Sequence, residues 1–486
     1  MTAPILLWLR QDLRLADNPA LAAALASSRP IIPVFVHAPE EEGDWRPGGA
    51  SLWWLNRSLH TLSADLERRG SRLILRASIR SSIHTLRTLL AETGATSVHW
   101  NRRYEPAAIQ RDKAIKQALR DDGLEVHSFN AALLSEPWEI RNRAGAPFQV
   151  FTPYWRHVLS SLDPPAPTPI PKRLPAVAST VLSEPIDVVL PLPRIAWYTQ
   201  IAASWQPGEA GAARKLADFF DRAIGGYARQ RDIPGVRGTS MLSPHLHFGE
   251  ISPRQIWHAV AAHAPHGGLA PTEWRASKFL AEIGWREFAH HLLYHFPYTP
   301  LEPLRREYQG FPWAADNAAQ LGAWQRGHTG IPMVDAGMRE LWATGWMHNR
   351  VRMVVASFLV KNLRLPWQHG ARWFWDTLVD ADLANNTQGW QWSAGCGADA
   401  APYFRVFNPV SQGRKFDPQG EYVRRWVPEI ARLPDDLLHA PWEASTEQLH
   451  QAGIEIGQTY PAPIVDLKGS REAALAAFTQ LRSSLA

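Results

Sequence analysis

Short apolar runs alternate with helical patterns over the first ~130 residues, and this alternation restricts the fold more than any other feature of the chain. The apolar runs are Ile5–Arg10, Ile31–His37, Arg72–Arg76, Ser97–Asn101 and Leu124–Phe129. The clearest helical pattern between them places leucines at spacings of three and four from Leu52 to Leu66, and Gly70 follows it. Strands and helices in this order predict a parallel sheet covered by helices on both faces. Neither a G-x-G-x-x-G nor a P-loop pattern follows a strand, which argues against the usual nucleotide sites here.

The rest of the chain divides at a proline-rich stretch. Nine prolines fall within residues 164–193, a density typical of a linker that crosses a surface. From residue 206 onward the pattern is helical, with long runs of 3–4 spacing. We therefore predict the α/β class: a Rossmann-like parallel-sheet domain over 1–131, an interdomain linker over 132–205 and a larger all-helical domain over 206–486.

Composition excludes several kinds of protein. Hydrophobic residues make up 45% and charged residues 20% of the 486 positions, which are ordinary values for a globular chain. The single cysteine, Cys396, excludes an internal disulfide, a cysteine-ligated iron–sulfur cluster and a multi-cysteine zinc site. No apolar stretch approaches the roughly 18 residues of a membrane helix, and Ile5–Leu9 is too short for a signal peptide. We expect a cytoplasmic protein that does not enter the membrane, and we take it to be a monomer.

Tryptophan is unusually frequent. The chain has 23 tryptophans, and sixteen of them follow residue 190. One interpretation is a core built on indoles, and the other is stacking on nucleobases or an aromatic cofactor, or electron transfer between indoles. The net charge of +5 favours a polyanionic partner only weakly. Composition alone does not choose between these interpretations.

Residues 238–244 place three hydroxyl side chains, Thr239, Ser240 and Ser243, directly before a helical pattern. Ser243 can cap that helix, and Pro244 fits its first position. The hydroxyls and exposed backbone N–H groups at such a start suit a phosphate or a pyrophosphate. The alternative is a helix cap that binds no ligand.

Two further clusters combine acidic and aromatic side chains. Glu282 and Trp285 share a helix face, so the carboxyl is either a proton donor with a raised pKa or a partly buried salt-bridge partner. Asp380 and Asp382 suggest a metal site, but the amides and indoles beside them are poor metal ligands. Together with Arg352, these acids better fit a planar polar cofactor in a tryptophan-lined pocket, and we expect no metal.

Read together, these segments resemble the photolyase/cryptochrome family over essentially the whole chain. The motifs that carry the resemblance, in the family's order, are Trp8–Leu15 with Asp17 and Asn18, Gly238–Ser243, Leu246–Ser252, Thr329–Pro332, Val334–Arg339, Trp346–Arg350, Asp380–Trp392 and Tyr403–Pro409. Many separate motifs in one order are more specific than any single pattern. Several stretches are most similar to the bacterial cyclobutane pyrimidine dimer (CPD) photolyases of class I and class III type.

The resemblance implies a helical domain that holds FAD and an α/β domain that holds an antenna chromophore. The residues that match the family's flavin contacts are Tyr227, Thr239, Ser240, Met241, Leu242, Ser243, Phe279, Arg352, Asp380, Ala381, Asp382 and Asn386. Arg352 and Asp380 would pair beside the isoalloxazine, and Asn386 would face flavin N5, where plant cryptochromes have aspartate. Glu105 would contact the antenna, which we expect to be 5,10-methenyltetrahydrofolate; a deazaflavin or no antenna are the alternatives.

The implied activity is that of a DNA-repair lyase, which uses light and reduced FAD to split CPDs in UV-damaged DNA. The dimer would leave the duplex stack and lie between Trp285 and Trp392, with Met353 against it and Glu282 on its carbonyls. Asn386 completes this predicted catalytic set. The DNA-contacting positions are Arg231, Asn349, Arg350, Arg405 and Gln412, and the electron-transfer tryptophans are Trp390, Trp367 and Trp313.

The alternative function is a blue-light receptor of the cryptochrome type. Trp285, Asn386 and the absence of a long polar tail after 471–481 favour the enzyme. A non-catalytic nucleic-acid-binding protein would explain the charge and the tryptophans, but not the hydroxyls of 239–243. Animal-type (6-4) photolyases place two histidines where this chain has Asn349 and Met353, whose side chains do not titrate near neutral pH. We therefore expect repair of CPDs and not of (6-4) photoproducts.

Overall fold

The computed structural model describes residues 2–78, 80–178, 180–264, 273–315, 317–400 and 404–484. Tyr403, at the start of the last family motif, lies outside the described residues. The chain forms two compact units. Unit 1 comprises Met1–Arg222, Ser240–Pro297 and Val379–Asp382, and unit 2 comprises Ala223–Thr239, Tyr298–Leu378 and Leu383–Ala486. These units are discontinuous along the chain, and the boundaries proposed for the sequence segments 1–131, 132–205 and 206–486 stay a prediction.

A five-stranded parallel sheet forms the first part of unit 1. Its strands are β1 (Ile5–Leu9), β2 (Ile31–His37), β3 (Ile74–Ala77), β4 (Ser97–Asn101) and β5 (Glu125–Phe129). Their order is β3-β2-β1-β4-β5, and Ile5 at the start of β1 pairs with Ile31 on one side and Ser97 on the other. The predicted apolar runs and the parallel sheet are confirmed.

Helices account for most of the remaining regular structure. In chain order the α-helices are α1 (Pro19–Ala26), α2 (Gly49–Glu67), α3 (Ser82–Thr93), α4 (Pro106–Asp121), α5 (Phe151–Ser161), α6 (Ile186–Val189), α7 (Thr199–Ser204), α8 (Glu209–Arg222), α9 (Tyr227–Gln230), α10 (Ser243–His247), α11 (Pro253–His263), α12 (Lys278–His295), α13 (Ala318–Arg326), α14 (Pro332–Thr344), α15 (Asn349–Ser357), α16 (Trp367–Thr377), α17 (Leu383–Ala394), α18 (Pro409–Phe416), α19 (Glu421–Trp426), α20 (Asp435–Leu438), α21 (Thr446–Ala452) and α22 (Leu467–Ser483). Short 3₁₀ segments lie at Pro39–Trp45, Ile224–Gly226, Glu273–Ala276, Arg306–Gly310, Pro428–Ile430 and Pro441–Glu443, and Phe358–Asn362 forms a π-helical turn. Among the described residues after 206 we find no strand longer than a single bridge, as the helical pattern predicts. In the same part of the chain that the structure describes, no helix is long and apolar enough to span a bilayer.

The core of the sheet is apolar on both faces, because helices cover both. Strand residues such as Trp8, Val34 and Val98 are almost wholly buried and pack with Leu86 of α3 and Ile115 of α4. The proline-rich stretch at 164–193 stays in contact with this core. Val181 packs against it, and the backbone N–H groups of Leu174 and Glu184 donate to Arg69 and Leu75. The stretch therefore crosses the surface of the α/β part with fixed contacts.

A buried arginine joins separate segments of unit 1. The Arg14 guanidinium donates to the carbonyl oxygens of Asp17 (2.7 Å), Gly249 (2.8 Å) and Ala131 (2.9 Å). The Asp17 carboxylate in turn accepts a hydrogen bond from Arg254 at 2.7 Å. These bonds connect the loop after β1 to the segment that begins α11. The motif Trp8–Leu15 with Asp17 and Asn18 therefore has a structural role in this unit.

In unit 2 a buried carboxylate joins separate segments of the chain, as Arg14 does in unit 1. Asp335, in the first turn of α14, accepts hydrogen bonds from Thr329 N (2.6 Å), Thr329 Oγ1 (2.7 Å), Gly330 N (3.0 Å) and Tyr460 Oη (2.8 Å). Gly330 has φ +74°, and a Cβ there would lie 2.4 Å from the backbone of Ala462. The family motif at Thr329–Arg339 therefore builds a helix start that only glycine allows at residue 330.

Replacement of Asp335 by alanine should destabilise the protein by about 3 kcal/mol or more, because four donors would lose their acceptor in a buried place. Urea unfolding followed by circular dichroism measures the effect. Asp436→Ala, at an exposed position in the first turn of α20, is the matched control and should change stability by less than about 0.5 kcal/mol. Equal unfolding midpoints for the two variants would contradict the role given to Asp335.

Candidate active site

Helix α12 positions three of the predicted residues in unit 1: Phe279, Glu282 and Trp285. The Trp285 indole stacks on Phe151 with ring centroids 3.7 Å apart and an interplanar angle of 10°. Glycine is required at the preceding position, because a Cβ on Gly284 would lie 2.6 Å from the indole of Trp155. Trp285 is only half-buried, so α12 presents an indole that is fixed on one face, as a stacking platform requires.

The segment before α10 differs from the prediction in one respect. Ser243 is not the N-cap: it is the first residue of α10, and Leu242 before it makes no capping bond. The Ser243 hydroxyl instead donates to Asp380 Oδ2 at 2.6 Å, a tertiary contact that displaces the local one. Pro244 lies in the first turn as expected. Met241 adopts φ +52°, a conformation that non-glycine residues rarely hold and that is often found at binding sites.

Asp382 lies beside two histidines of unit 1. Its Oδ2 is 3.4 Å from His290 Nε2 and 3.8 Å from His247 Nδ1. Burial alone raises the pKa of Asp382, but the charge of His290, hydrogen bonding with His247 and His290 and the charge of Arg286 outweigh burial and hold it well below its ordinary value. Asp382 is therefore anionic at neutral pH. A buried carboxylate of this kind suits the polar edge of a cofactor that donates hydrogen bonds.

Helix α15 carries Asn349, Arg350, Arg352 and Met353 in unit 2. Its N-cap is His348, whose Nδ1 accepts a hydrogen bond from Arg350 N at 3.2 Å. Arg352 Nε donates to Met347 O at 2.7 Å. Burial lowers the pKa of His348 to about 4, so this imidazole is neutral and acts as an acceptor. The residues predicted to meet DNA, the dimer and the flavin on this helix are therefore placed by a histidine cap.

The group that supports this cap was not predicted from the sequence. Glu340 Oε2 accepts a hydrogen bond from Tyr422 Oη at 2.6 Å and one from His348 N at 3.3 Å. Burial raises the pKa of Glu340 to about 7, although Tyr422, His348 N and the charges of Arg352 and Arg425 act against the shift. The sequence feature that could have indicated Glu340 is a glutamate on the buried face of α14, next to Leu341.

Helix α17 carries Asn386, Trp390 and Trp392. Asn386 Nδ2 donates to Ala371 O at 3.0 Å, whereas its Oδ1 is buried and has no partner among the described residues. Trp390 is buried against Phe374, with ring centroids 5.0 Å apart. A Cβ on Gly370 would lie 1.9 Å from the Trp390 indole, so glycine is required where α16 meets α17. Trp390 is therefore tightly held.

The other predicted tryptophans of unit 2 lie in different surroundings. Trp392 is half-buried, with Phe407 at 6.3 Å and the Arg405 guanidinium 6.0 Å from its ring. Trp367 is buried at the first position of α16, and Trp313 packs on Phe311 at 4.6 Å. An electron path from Trp390 through Trp367 to Trp313 stays a prediction.

The predicted DNA-contacting residues of unit 2 are partly engaged within the protein. Arg350 Nη2 lies 2.9 Å from Asp232 Oδ1, and its guanidinium lies 4.3 Å from the Phe416 ring. Arg231 lies over Tyr227 at 5.5 Å. Asn349 and Arg405 are exposed, and Gln412 lies on α18.

In the α/β part, Glu105 belongs to a buried ionic cluster. Arg103 contacts Glu105 at 3.1 Å and Glu42 at 2.7 Å. Burial alone raises the pKa of Glu105, but the charge and hydrogen bonds of Arg103 lower it below its ordinary value. Glu105 is therefore a carboxylate at neutral pH.

The chain matches known proteins over almost its whole length. Residues 5–172 match the family described as DNA photolyase, and residues 279–480 match the FAD binding domain of DNA photolyase. A deoxyribodipyrimidine photo-lyase of Agrobacterium fabrum is 48% identical over 99% of each chain. The chain belongs to the photolyase/cryptochrome family. The solved class III photolyase from Agrobacterium tumefaciens has a TM-score of 0.94 and 48% identity, and the match covers 99% of this chain and 98% of that one.

The family comparison also covers the alternative function. Cryptochrome-1 of Arabidopsis thaliana is 42% identical over 98% of this chain and 70% of that protein, so it is less similar than the Agrobacterium fabrum enzyme. The predicted family and fold are confirmed, with a parallel-sheet α/β part at the N-terminus and helices beyond it.

The residues of this chain fit FAD, which the match over 279–480 implies. The buried Oδ1 of Asn386 has no partner among the described residues, and a buried acceptor left in that state costs about 1–3 kcal/mol. A cofactor that donates a hydrogen bond removes that cost. Asp382 is held anionic, and Ser243 is bound to Asp380 at the hydroxyl-rich segment. The Asn386 amide oxygen in unit 2 and the Asp382 carboxylate in unit 1 each suit a hydrogen-bond donor of a flavin, whereas the Ser243 hydroxyl proton is already bonded to Asp380.

Replacement of Glu340 by glutamine should make the protein less sensitive to pH. An unfolded glutamate ionises near its ordinary value of 4.5, whereas Glu340 in the fold ionises near 7. Stability from this group is therefore full at low pH and is lost as the pH rises through 7. Between about pH 5 and pH 8 the wild type should lose roughly 2 to 3 kcal/mol more than Glu340→Gln.

Urea unfolding of both proteins at the two pH values measures this difference, since the other titrating groups are common to both. Equal losses of stability would show that Glu340 titrates as an exposed glutamate does.

Proposed function

We propose that this protein is a light-driven lyase that repairs cyclobutane pyrimidine dimers in UV-damaged DNA. The observation that carries the proposal is 48% identity over 99% of each chain with the deoxyribodipyrimidine photo-lyase of Agrobacterium fabrum. The indole of Trp285, fixed by Phe151 and still half-exposed, supports the same proposal.

FAD would be held by the twelve residues named above for flavin contact, from Tyr227 to Asn386. When bound, reduced FAD supplies the electron that opens the cyclobutane ring. The chain's own residues prepare its surroundings. The amide of Asn386 is oriented by Ala371 O, so that its oxygen is left as the acceptor. The carboxylate of Asp382 is kept charged by His290 and His247, and Ser243 and Asp380 are bonded to each other.

The dimer would be bound by flat apolar side chains. Trp285 and Trp392 would supply indole faces, and Met353 a thioether. Stacking on indoles offsets the cost of taking the lesion out of the duplex, which is a few kcal/mol and is lowest for a damaged base. Glu282 would hydrogen-bond the pyrimidine carbonyls and stabilise the negative charge that develops there. Arg231, Asn349, Arg350, Arg405 and Gln412 would contact the DNA.

The surroundings of α15 support repair of CPDs rather than (6-4) photoproducts. Asn349 and Met353 occupy the positions of the paired histidines of animal-type (6-4) enzymes, and neither titrates near neutral pH. His348, the adjacent histidine, is 3% exposed and is occupied as the N-cap of α15. Its pKa of about 4 also leaves it without a proton to deliver at neutral pH. A histidine in this state cannot replace the missing pair.

The proposed function is tested with two oligonucleotides, one carrying a CPD and the other a (6-4) photoproduct. The purified holoprotein should restore the CPD substrate under blue or near-UV light, leave it unchanged in the dark, and leave the (6-4) substrate unchanged under both conditions. Chromatography of the products measures repair.

Comparable repair of both lesions would overturn the lesion assignment. Flavin that is photoreduced normally without repair of either lesion would favour the cryptochrome-type receptor.

Trp390→Phe should block photoreduction of oxidised flavin and spare repair after chemical reduction, because phenylalanine keeps the packing against Phe374 but is much harder to oxidise. Trp324→Phe is the matched control: Trp324 is buried 6.1 Å from Trp390 but lies outside the predicted electron path. Absorption spectra during illumination measure flavin reduction. Photoreduction that is lost in Trp324→Phe and kept in Trp390→Phe would contradict the assignment.

The remaining parts of the proposal concern the antenna and the state of the protein. We propose 5,10-methenyltetrahydrofolate as the antenna, with the Glu105 carboxylate, kept charged by Arg103, as the contact to its pterin. A deazaflavin is the alternative ligand. A cytoplasmic monomer that needs no metal stays a prediction.

A further inference from the structure

An ion pair in unit 2 joins one of the proposed DNA-contacting arginines to a carboxylate that has no assigned role. Arg350 Nη2 donates to Asp232 Oδ1 at 2.9 Å. The side chain of Arg350 is 17% exposed and that of Asp232 is 36% exposed. The pair therefore lies at the surface, where DNA could reach it, but the guanidinium is partly enclosed by protein.

Two further contacts hold Arg350. Its guanidinium lies 4.3 Å from the centroid of the Phe416 ring, within the range of a cation–π contact. Its backbone N–H donates to His348 Nδ1, so the residue is also fixed at the start of α15. Arg350 Nη1 has no acceptor among the described residues and is not buried. Nη1 is therefore the part of the guanidinium that is left for a DNA phosphate.

Asp232 is held in place without help from Arg350, because it lies in a tight turn after α9. In this turn Ile233 N donates to Gln230 O at 3.0 Å. A Cβ on Gly235 would lie 3.2 Å from the Cβ of Glu421, so the turn packs closely on the start of α19. A carboxylate on a fixed turn can orient a guanidinium without being ordered itself when DNA binds.

The charge of Asp232 acts within a basic cluster. Burial is the main cause that lowers the pKa of His348 to about 4. Among the nearby charges Asp232 opposes that shift, whereas those of Arg350, Arg352 and Arg231 add to it. Asp232 is therefore close to three cations, and it cancels the charge of the one to which it is hydrogen-bonded.

We propose that Asp232 is a positioning residue that orients Arg350 for a DNA phosphate and cancels its net charge. The inference rests on the proposed function, which assigns Arg350 to DNA. Free cations release counterions when they meet phosphates, and this salt-dependent attraction supplies essentially all binding to undamaged DNA. An arginine in a neutral pair adds little to that attraction, but it can still donate a hydrogen bond to a phosphate at one place, which sets the register of the complex. Asp232 thus limits binding to undamaged DNA, as specificity requires.

The test measures binding of the full-length holoprotein, in the dark, to two duplex oligonucleotides of one sequence, one undamaged and one carrying a CPD. Fluorescence anisotropy between 50 and 200 mM salt gives the affinity and the slope of log affinity against log salt. Asp232→Asn removes the charge but keeps an oxygen that can accept from Arg350, and Asp232→Ala removes both. Asp436→Asn is the matched control, because it removes the same charge from an exposed side chain of unit 2.

Asp232→Asn should bind the undamaged duplex about tenfold more tightly than the wild type at 50 mM salt and about threefold at 200 mM, because one uncancelled cation steepens the salt slope by about 0.9. Asp232→Ala should bind the undamaged duplex as Asp232→Asn does, but the CPD duplex about fivefold more weakly than that variant, because Arg350 has lost its acceptor. Asp436→Asn should bind both duplexes as the wild type does.

Arg350→Gln tests the same pair from the other side. It should lower the affinity for the CPD duplex about tenfold and leave the salt slope nearly unchanged, since the charge that it removes is already cancelled. The double variant of Asp232→Asn with Arg350→Gln should return to the wild-type slope. A structural role of Asp232 alone would not produce these changes of slope. Thermal unfolding of each variant measures whether the fold is retained.

A slope that falls by about one in Arg350→Gln and is unchanged in Asp232→Asn would overturn the inference, because Arg350 would then act as a free cation. Equal affinities of Asp232→Ala and Asp232→Asn for the CPD duplex would overturn the part given to orientation. Wild-type protein that binds neither duplex would overturn the whole inference. Illumination of the wild-type complex tests the proposed function separately, since the expected slopes without repair would refute the repair activity and support the role of Asp232 in DNA binding.

Discussion

Unit 1 depends on the buried guanidinium of Arg14. Removal of such a charge from water is costly unless every donor finds an acceptor. Here the acceptors are carbonyl oxygens of Asp17, Ala131 and Gly249, which come from three separate parts of the sequence. Because those segments must meet for Arg14 to be satisfied, the α/β part and the segment of α10–α12 form one unit. The position of the Trp285 indole on α12 therefore depends on this arrangement.

The motifs that reveal the family are, in part, motifs of folding rather than of chemistry. Arg14 and Asp17 join segments of unit 1, and Asp335 closes the start of α14 in unit 2. The residues proposed to contact the flavin or the lesion are different ones, and they lie on helices such as α15 and α17. A substitution in the first group should reduce the amount of folded protein, and one in the second group should change what the folded protein does.

The sequence predicted the elements that are determined by neighbouring residues or by the spacing of apolar residues. Strands β1, β2 and β4 follow from runs that are buried on both faces, whereas β3 and β5 are only partly buried. Trp285 follows from its motif. The predicted cap at Ser243 was wrong because its hydroxyl donates to Asp380, 137 residues away. Glu340 and Lys361 were missed for a related reason. Each is a buried ionisable residue on a helical segment, and its contacts are evident only when Tyr422, or Phe404, is folded against it.

The pKa values of two buried acids are shifted in opposite directions by their surroundings. Asp382 remains anionic because His290 and His247 outweigh desolvation, whereas Glu340 has a pKa of about 7 because desolvation outweighs the hydrogen bond from Tyr422. Such separation of acids by their surroundings is common at functional sites. Here the acid that titrates near neutral pH supports the cap of α15, and the acid assigned to the cofactor does not titrate there. In the proposed reaction the cofactor would supply an electron and no proton. We therefore expect a change of pH near 7 to alter the contacts that hold the start of α15 more than it alters the groups assigned to the flavin.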